Sequence, residues 1–334
     1  AYYRIESQPE KANRFLKKII GIAHNNIGIV YFNQANYSEA LKNYNIAVKF
    51  NSQSGNKKQI ANTYNNLGET YQHLGNYPEA LKNLLASIKL REEIGDVSNT
   101  SQTRINIGSV YLLMVKYPLA LANYSIALQL ANKLNDKNRI ANSYDGIGGV
   151  NYRLGNNQEA LRNYFIALKI NEEIRNINGI ALAYESIAAV YEDMGNFTEA
   201  LKNYSIGLNI CEKNDIKWQM AMYNMNIGNT YRKQNKLNEA EHHLLKALQI
   251  SKYLNRKEDI KECYLALTRL DSAKGNHKQS LNDLSLYYIY RDSLINEENT
   301  KIIIQTQMQY EFDKKESELK AEQVKKDAVA AERI

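Results

Sequence analysis

Few side chains in this 334-residue chain stand in arrangements that do chemistry. His242 and His243 are adjacent in "EAEHHLLKA", and "EHHLL" lacks the HExxH spacing that would set two imidazoles on one helical face for zinc. Cys211 and Cys263 are far apart, without CxxC spacing, and read as inert buried thiols. There is no glycine-rich phosphate loop, and Ser, His and Asp fall in no nucleophilic pattern. No catalytic residue, metal or cofactor is expected. What does recur is an amide: Asn26, Asn66, Asn106 and Asn226 share one register of a forty-residue period. A carboxamide both donates and accepts, so a row of them can pair with the backbone of an extended peptide whatever its sequence. The alternative is that each one bonds a neighbouring helix and ties the repeats together.

The elements that carry this row repeat as strictly as the row itself. Gly28, Gly68, Gly108, Gly148, Ala188 and Gly228 align, and three places on stand Tyr31, Tyr71, Tyr111, Asn151, Tyr191 and Tyr231. Twelve places after the small residue come Ala40, Ala80, Ala120, Ala160, Ala200, Ala240 and finally Ser280. Each copy predicts a helical hairpin. Tyr64, Leu67, Gly68, Tyr71 and Leu74 fall at helical spacing in helix A, and Ala80, Leu81, Leu84, Ser87 and Ile88 in helix B. Gly75, Gly155, Gly195, Gly275 and Asn235 stand where a helix ends in a left-handed residue. Asn76 with Glu79, and Asn196 with Glu199, have capping-box spacing, and Pro78 and Pro118 fall in a first turn, where a missing N–H costs little. One hairpin cannot bury both its faces, so the copies must stack into an all-α solenoid.

Bulk composition agrees with a helical array and excludes several classes. With 24% charged residues and only 3 Pro the chain suits long helices, and its 25 Tyr and surplus of Asn, Ile and Lys suggest an AT-rich bacterial genome. A net charge of +7 without a clustered basic stripe does not point to nucleic acid. No stretch reaches the length of apolar sequence that spans a bilayer. The chain begins AYYRIE without Met, in keeping with a removed leader or earlier segment, so the compartment stays open.

The pattern Tyr64, Leu67-Gly68, Tyr71, Ala80, Leu84, Ser87, and again Tyr184, Ile187-Ala188, Tyr191, Ala200, Tyr204, Gly207, resembles the tetratricopeptide repeat. The resemblance covers residues 21–294, with repeats starting near 21, 61, 101, 141, 181, 221 and 261, preceded by an N-terminal helical cap over 1–20. It implies a right-handed superhelix of about seven hairpins. The forty-residue period departs from the common shorter repeat and lengthens each helix by roughly 4.5 Å. It is similar to a long-repeat subgroup that grips extended or helical peptides.

In that family helix A lines the inner face, which implies a groove bearing Asn62, Asn65, Asn66, Glu69, Gln72 and His73 in the second repeat. The family's carboxylate clamp is not matched in repeats one to three. Further along, repeat five offers Glu185, Glu192 and Asp193, repeat six Arg232 and Lys233, and repeat seven Arg269. A dipolar ligand fits that junction; the alternative is a Glu192–Arg232 surface pair worth under about 1 kcal/mol. Leu112 and Leu113 put an apolar step on the inner face of repeat three, either a seat for an apolar side chain or packing against repeat four. Val115 takes the turn position there, a poor residue for a left-handed backbone. On the outer side Lys42, Lys82, Arg162 and Lys202 form a ridge expected to be solvated.

Residues 295–334 alternate in charge without Pro or Gly and predict a long exposed helix. Met308, Phe312, Leu319 and Val329 make an imperfect heptad, enough for a weak homodimeric coiled coil. Asp292-Ser293-Leu294, Asn296-Glu297-Glu298, Gln307, Tyr310-Glu311 and Lys315-Glu316 resemble the close of the sensor region in bacterial membrane-anchored signalling proteins. That resemblance implies a module that binds a peptide or protein and relays binding to a kinase, phosphatase or cyclase output. It also favours the periplasmic face of a membrane, with the cytoplasm as alternative. A constitutive assembly scaffold and an intracellular peptide-pheromone receptor are the competing readings.

Overall fold

The structure, a computed structural model, describes residues 9–34 and 36–295. Fourteen helices follow one another: α1 Pro9–Asn33, α2 Tyr37–Ser54, α3 Lys57–His73, α4 Tyr77–Glu93, α5 Val97–Leu113, α6 Tyr117–Lys133, α7 Lys137–Arg153, α8 Asn157–Glu173, α9 Ile177–Asp193, α10 Phe197–Lys213, α11 Lys217–Lys233, α12 Leu237–Tyr253, α13 Lys257–Lys274 and α14 over 277–295. Paired in order they are seven hairpins of a right-handed solenoid, with no strand among the described residues. Residues 9–20 are continuous with the first A helix rather than set apart from it. Apart from Ile295, the charged segment 295–334 and its heptad lie outside the described residues.

The period has a simple origin: α3 through α12 are each 17 residues long and each is followed by a turn of three. The α3–α4 turn shows how three residues suffice. Gly75 N–H donates to Gln72 O at 3.0 Å and Asn76 N–H to Tyr71 O at 2.9 Å, a Schellman pair that closes α3 around a left-handed Gly75 at φ 72°. Asn76 then caps α4, its Oδ1 accepting from Glu79 N–H at 3.3 Å. The return half of the capping box is missing because the Asn76 N–H is already engaged by α3, and the Glu79 carboxylate pairs with Lys82 instead.

All five turn residues expected to be left-handed are so, and an alternate set joins them between repeats: Gly55, Gly95, Asn135, Arg175, Asp215 and Asn255. Val115 is left-handed too, at φ 59°. A β-branched side chain there crowds its own backbone at a cost of about 1 kcal/mol or more, and Val115 is 64% exposed, so packing returns little. Val115→Asn, the residue type used at 235, is expected to stabilise the protein by about 1 kcal/mol. A urea midpoint that stays put or falls would show that the turn carries no strain.

Within a hairpin the helices touch at the small residue. A Cβ on Gly68 would stand 2.5 Å from Leu84 Cγ, and one on Gly148 2.8 Å from the Tyr164 ring. The core is a chain of small clusters, each shared by neighbouring helices. Ala80, Leu84 and Ile88 of α4, for example, pack with Ile107 and Val110 of α5. Contacts reach no further than the next helix but one, so stability is nearest-neighbour in kind.

Candidate functional site

The asparagine row is built on α1, α3 and α5. In α1 the buried Asn25 offers Oδ1 to Thr63 Oγ1 at 3.1 Å and to Asn66 Nδ2 at 3.1 Å. One repeat on, Asn65 Oδ1 accepts from Thr103 Oγ1 at 3.0 Å and from Asn106 Nδ2 at 3.2 Å. The same contact thus joins successive A helices: residue six of one repeat donates to residue five of the repeat before. Asn65 Nδ2 donates to Glu69 Oε1 at 3.0 Å, and Asn106 Nδ2 reaches that carboxylate as well. Desolvation raises the Glu69 carboxyl, with the two amides and Arg91 pulling it back. The geometry at Asn66 and Asn106 is that of ties between repeats. Asn226 repeats it in repeat six, its Nδ2 lying 3.5 Å from Glu185 Oε1.

Other expected site residues are held locally. Asn62 Oδ1 accepts from Nη2 of the buried Arg91 at 3.1 Å, and Arg91 pairs with Asp96 at 3.2 Å. His73 is exposed but packs against Phe32 and Tyr37, ring centroids 5.1 and 5.7 Å away, and desolvation lowers its pKa. Asn26 is exposed. Glu192 pairs with Lys233 at 2.7 Å, not with Arg232, and accepts from Tyr204 Oη at 3.0 Å. Arg232 is half-buried, its Nε without a partner, and burial with the nearby Arg269 lowers its pKa. Leu113 is half exposed while Leu112 is partly covered. The outer cations are engaged at the surface: Lys42, Lys82, Arg162 and Lys202 each pair with a glutamate three residues earlier.

On the middle of the inner face sequence reasoning named Glu185 but missed Asp145 and Gly149. At residue five the ladder changes from Asn25 and Asn65 to Ile105, Asp145 and Glu185, and at residue six Gly146 and Ser186 replace asparagine. The tie between repeats is absent there. Asp145 is exposed to solvent, and desolvation by the surrounding protein raises its carboxyl to about 6. Desolvation, then Asp145 itself, lifts half-buried Glu185 to about 7, opposed by the Asn226 amide. Gly149 faces open space: a Cβ there would meet only Leu112 Cδ2 and Tyr164 Oη, both at 3.7 Å. Tyr124 and Tyr164 thread past the glycines of helix A, and the Tyr124 hydroxyl lies 3.0 Å from Ser109 Oγ. Reading residue five as a column of its own would have found this patch.

The Cys211 and Cys263 thiols are buried, and burial pushes them up to about 11 and about 12. No group of His, Cys, Asp or Glu among the described residues is placed to hold a metal ion, and no described helix is long and apolar enough to cross a membrane.

Comparison with known proteins agrees with the architecture. Tetratricopeptide repeat models match residues 19–93, 59–120 and 96–173, and a second such model matches 222–252. No curated protein sequence matches. The apo form of RapI superposes with a TM-score of 0.65 at 16% identity over 83% of this chain and 99% of its own. A Rap protein complexed with competence and sporulation factor gives 0.65 at 17% identity over 82% and 75%. A signal transduction ATPase with a tetratricopeptide repeat sensor, from Pyrococcus horikoshii, gives 0.62 at 16% identity over 91% and 47%. At such identities the likeness is one of fold. The solenoid and its matching repeats define a helical-repeat protein. The chain belongs to the tetratricopeptide repeat family.

Proposed function

We propose that the protein is a binding module that holds an extended peptide in its inner groove, centred on repeats four and five. The observation that carries this is the interrupted ladder. Asparagine ties join the repeats one to three, whereas no such tie forms at Asp145, Gly146 and Ser186, Gly149 leaves room on the inner face, and the stretch is lined by carboxylates with no ion-pair partner among the described residues. A peptide carrying a basic side chain complements that stretch, with Leu112 and Leu113 beside it for an apolar neighbour. A Rap protein complexed with competence and sporulation factor and a Rap conjugation gene regulator in complex with the Phr* peptide support ligand binding by this fold, and the second of them favours a peptide-pheromone receptor as the second reading. In the first reading the bound state passes through α14 to the segment beyond Ile295 and on to an output domain.

Gly149→Arg separates binding from stability. The new side chain enters the groove without meeting the core, and replacing a mid-helix glycine favours the helix. Panning a random dodecapeptide phage library against the native protein is expected to enrich basic sequences, and Gly149→Arg to weaken the best of them about thirtyfold with an unchanged melting temperature. Equal affinity for the variant, or a library that yields no binder, would overturn the groove reading.

A further inference from the structure

The last hairpin departs from the others at two facing positions. Residue twenty-three of each earlier repeat is Asn43, Asn83, Asn123, Asn163, Asn203 or His243; here it is Asp283. The five asparagines each donate Nδ2 to the backbone carbonyl four residues earlier, at 2.7 to 2.8 Å. An ionised aspartate has no proton to donate. Residue eleven, Tyr31 and Tyr71 in the first two repeats, is Asp271 in the last. Both carboxyl groups are buried, Asp271 at 6% exposure and Asp283 at 4%, and they lie within hydrogen-bonding reach of each other.

Their other partners do not neutralise them. Asn276 Nδ2 donates to Asp271 Oδ1 at 3.2 Å and Gln279 Nε2 to Asp283 Oδ1 at 3.2 Å. The cation that acts on Asp283 is Lys252 of α12, which is drawn to the Tyr264 ring, 5.3 Å from its centroid. Lys274 is engaged with Glu241 at 2.7 Å, and Arg291 with its neighbour Asp292 at 2.7 Å. Two buried carboxylates side by side cannot both ionise cheaply.

We propose that Asp271 and Asp283 share one proton and thereby make the docking of α14 onto α13 depend on pH. With the proton in place, Asp283 regains the donor that asparagine supplies elsewhere and bonds Asp271. When both groups ionise, the helices repel at their buried contact, and α14 is released more readily. The direction follows from Asp283, whose carboxyl desolvation and Asp271 push up to about 6. A group bound more tightly to its proton in the docked state favours docking at low pH, and the advantage disappears as pH rises through the docked value. The groove ligand plays no part in this device, and α14 is the helix that leads into the segment beyond Ile295.

Amide hydrogen exchange on the full chain, corrected for intrinsic rates, tests it. The opening constant of residues 277–295 is expected to rise about tenfold from pH 5 to pH 7.5 in the native protein. In Asp283→Asn, where an amide restores the donor and removes one charge, it is expected to stay level. Asp271→Asn is expected to level it as well, which guards against a fault peculiar to one variant. A flat native profile, or the same rise in both variants, would overturn the proposal.

Discussion

Replacing Gly207 with alanine is expected to destabilise the solenoid by about 3 kcal/mol, the upper range for overpacking a filled core. A Cβ at that position would lie 2.0 Å from Tyr223 Oη and 2.1 Å from its Cζ. Tyr223 is fully enclosed and donates its hydroxyl to Ala181 O, so the ring has nowhere to move. The repeats show what this pair has exchanged. At the place of Gly207 other copies have Ala47, Ser87, Ala127, Ala167 and Ala247, and at the place of Tyr223 they have Thr63, Thr103, Ser143, Ala183 and Cys263. Volume has moved from α10 to α11. The double variant Gly207→Ala with Tyr223→Thr is therefore expected to recover most of the loss, a strong positive coupling in a double-mutant cycle. Additive losses by urea denaturation would show that the two residues are not exchanging space.

Asn65→Ala is expected to cost a similar amount, about 3 kcal/mol, since three buried hydrogen bonds each contribute about 1 kcal/mol. Asn65 accepts from Thr103 and Asn106 and donates to Glu69, and it is almost fully buried. The loss also acquires a pH dependence. Desolvation already raises the Glu69 carboxyl, and Asn65 is the first of the groups that restrain it. Without that donor the ionised form is harder to hold, and the cost vanishes as pH falls through the folded value, so the deficit should shrink on acidification. A variant that melts like the native protein would show that the amide ladder does not tie the repeats.

The hairpins, their number and the left-handed turn glycines were legible in the sequence because spacing alone determines them. Gly68 with Ala80 and Leu84 can only be the close contact of two helices. The turns between repeats were less visible, since Arg175 and Asp215 are not residue types that announce a left-handed backbone. At the candidate site, composition identified the amides but not their partners. Whether Asn66 met a ligand or Asn25 depended on how far one A helix is shifted against the next, which no periodicity encodes. The same holds for Glu192: its pairing with Lys233 rather than Arg232 depends on the rotation of α11 about its axis. Asp145 passed unnoticed because its meaning lies in breaking a column of asparagines.

The three-residue turns have a further consequence for how such a chain can change over generations. The link inside a hairpin and the link between hairpins have the same length and the same Schellman closure, as the turns at Gly75 and Gly95 show. A cassette of forty residues can therefore be cut at any point of the cycle and rejoined without a seam, because both cut ends present the same junction. Unequal recombination within the gene would lengthen or shorten the groove by whole copies while leaving the form of every turn unchanged. Loss of twenty residues would be another matter: it would set an A helix where a B helix belongs, and the alternation of small and large residues across the stack would fail at that point.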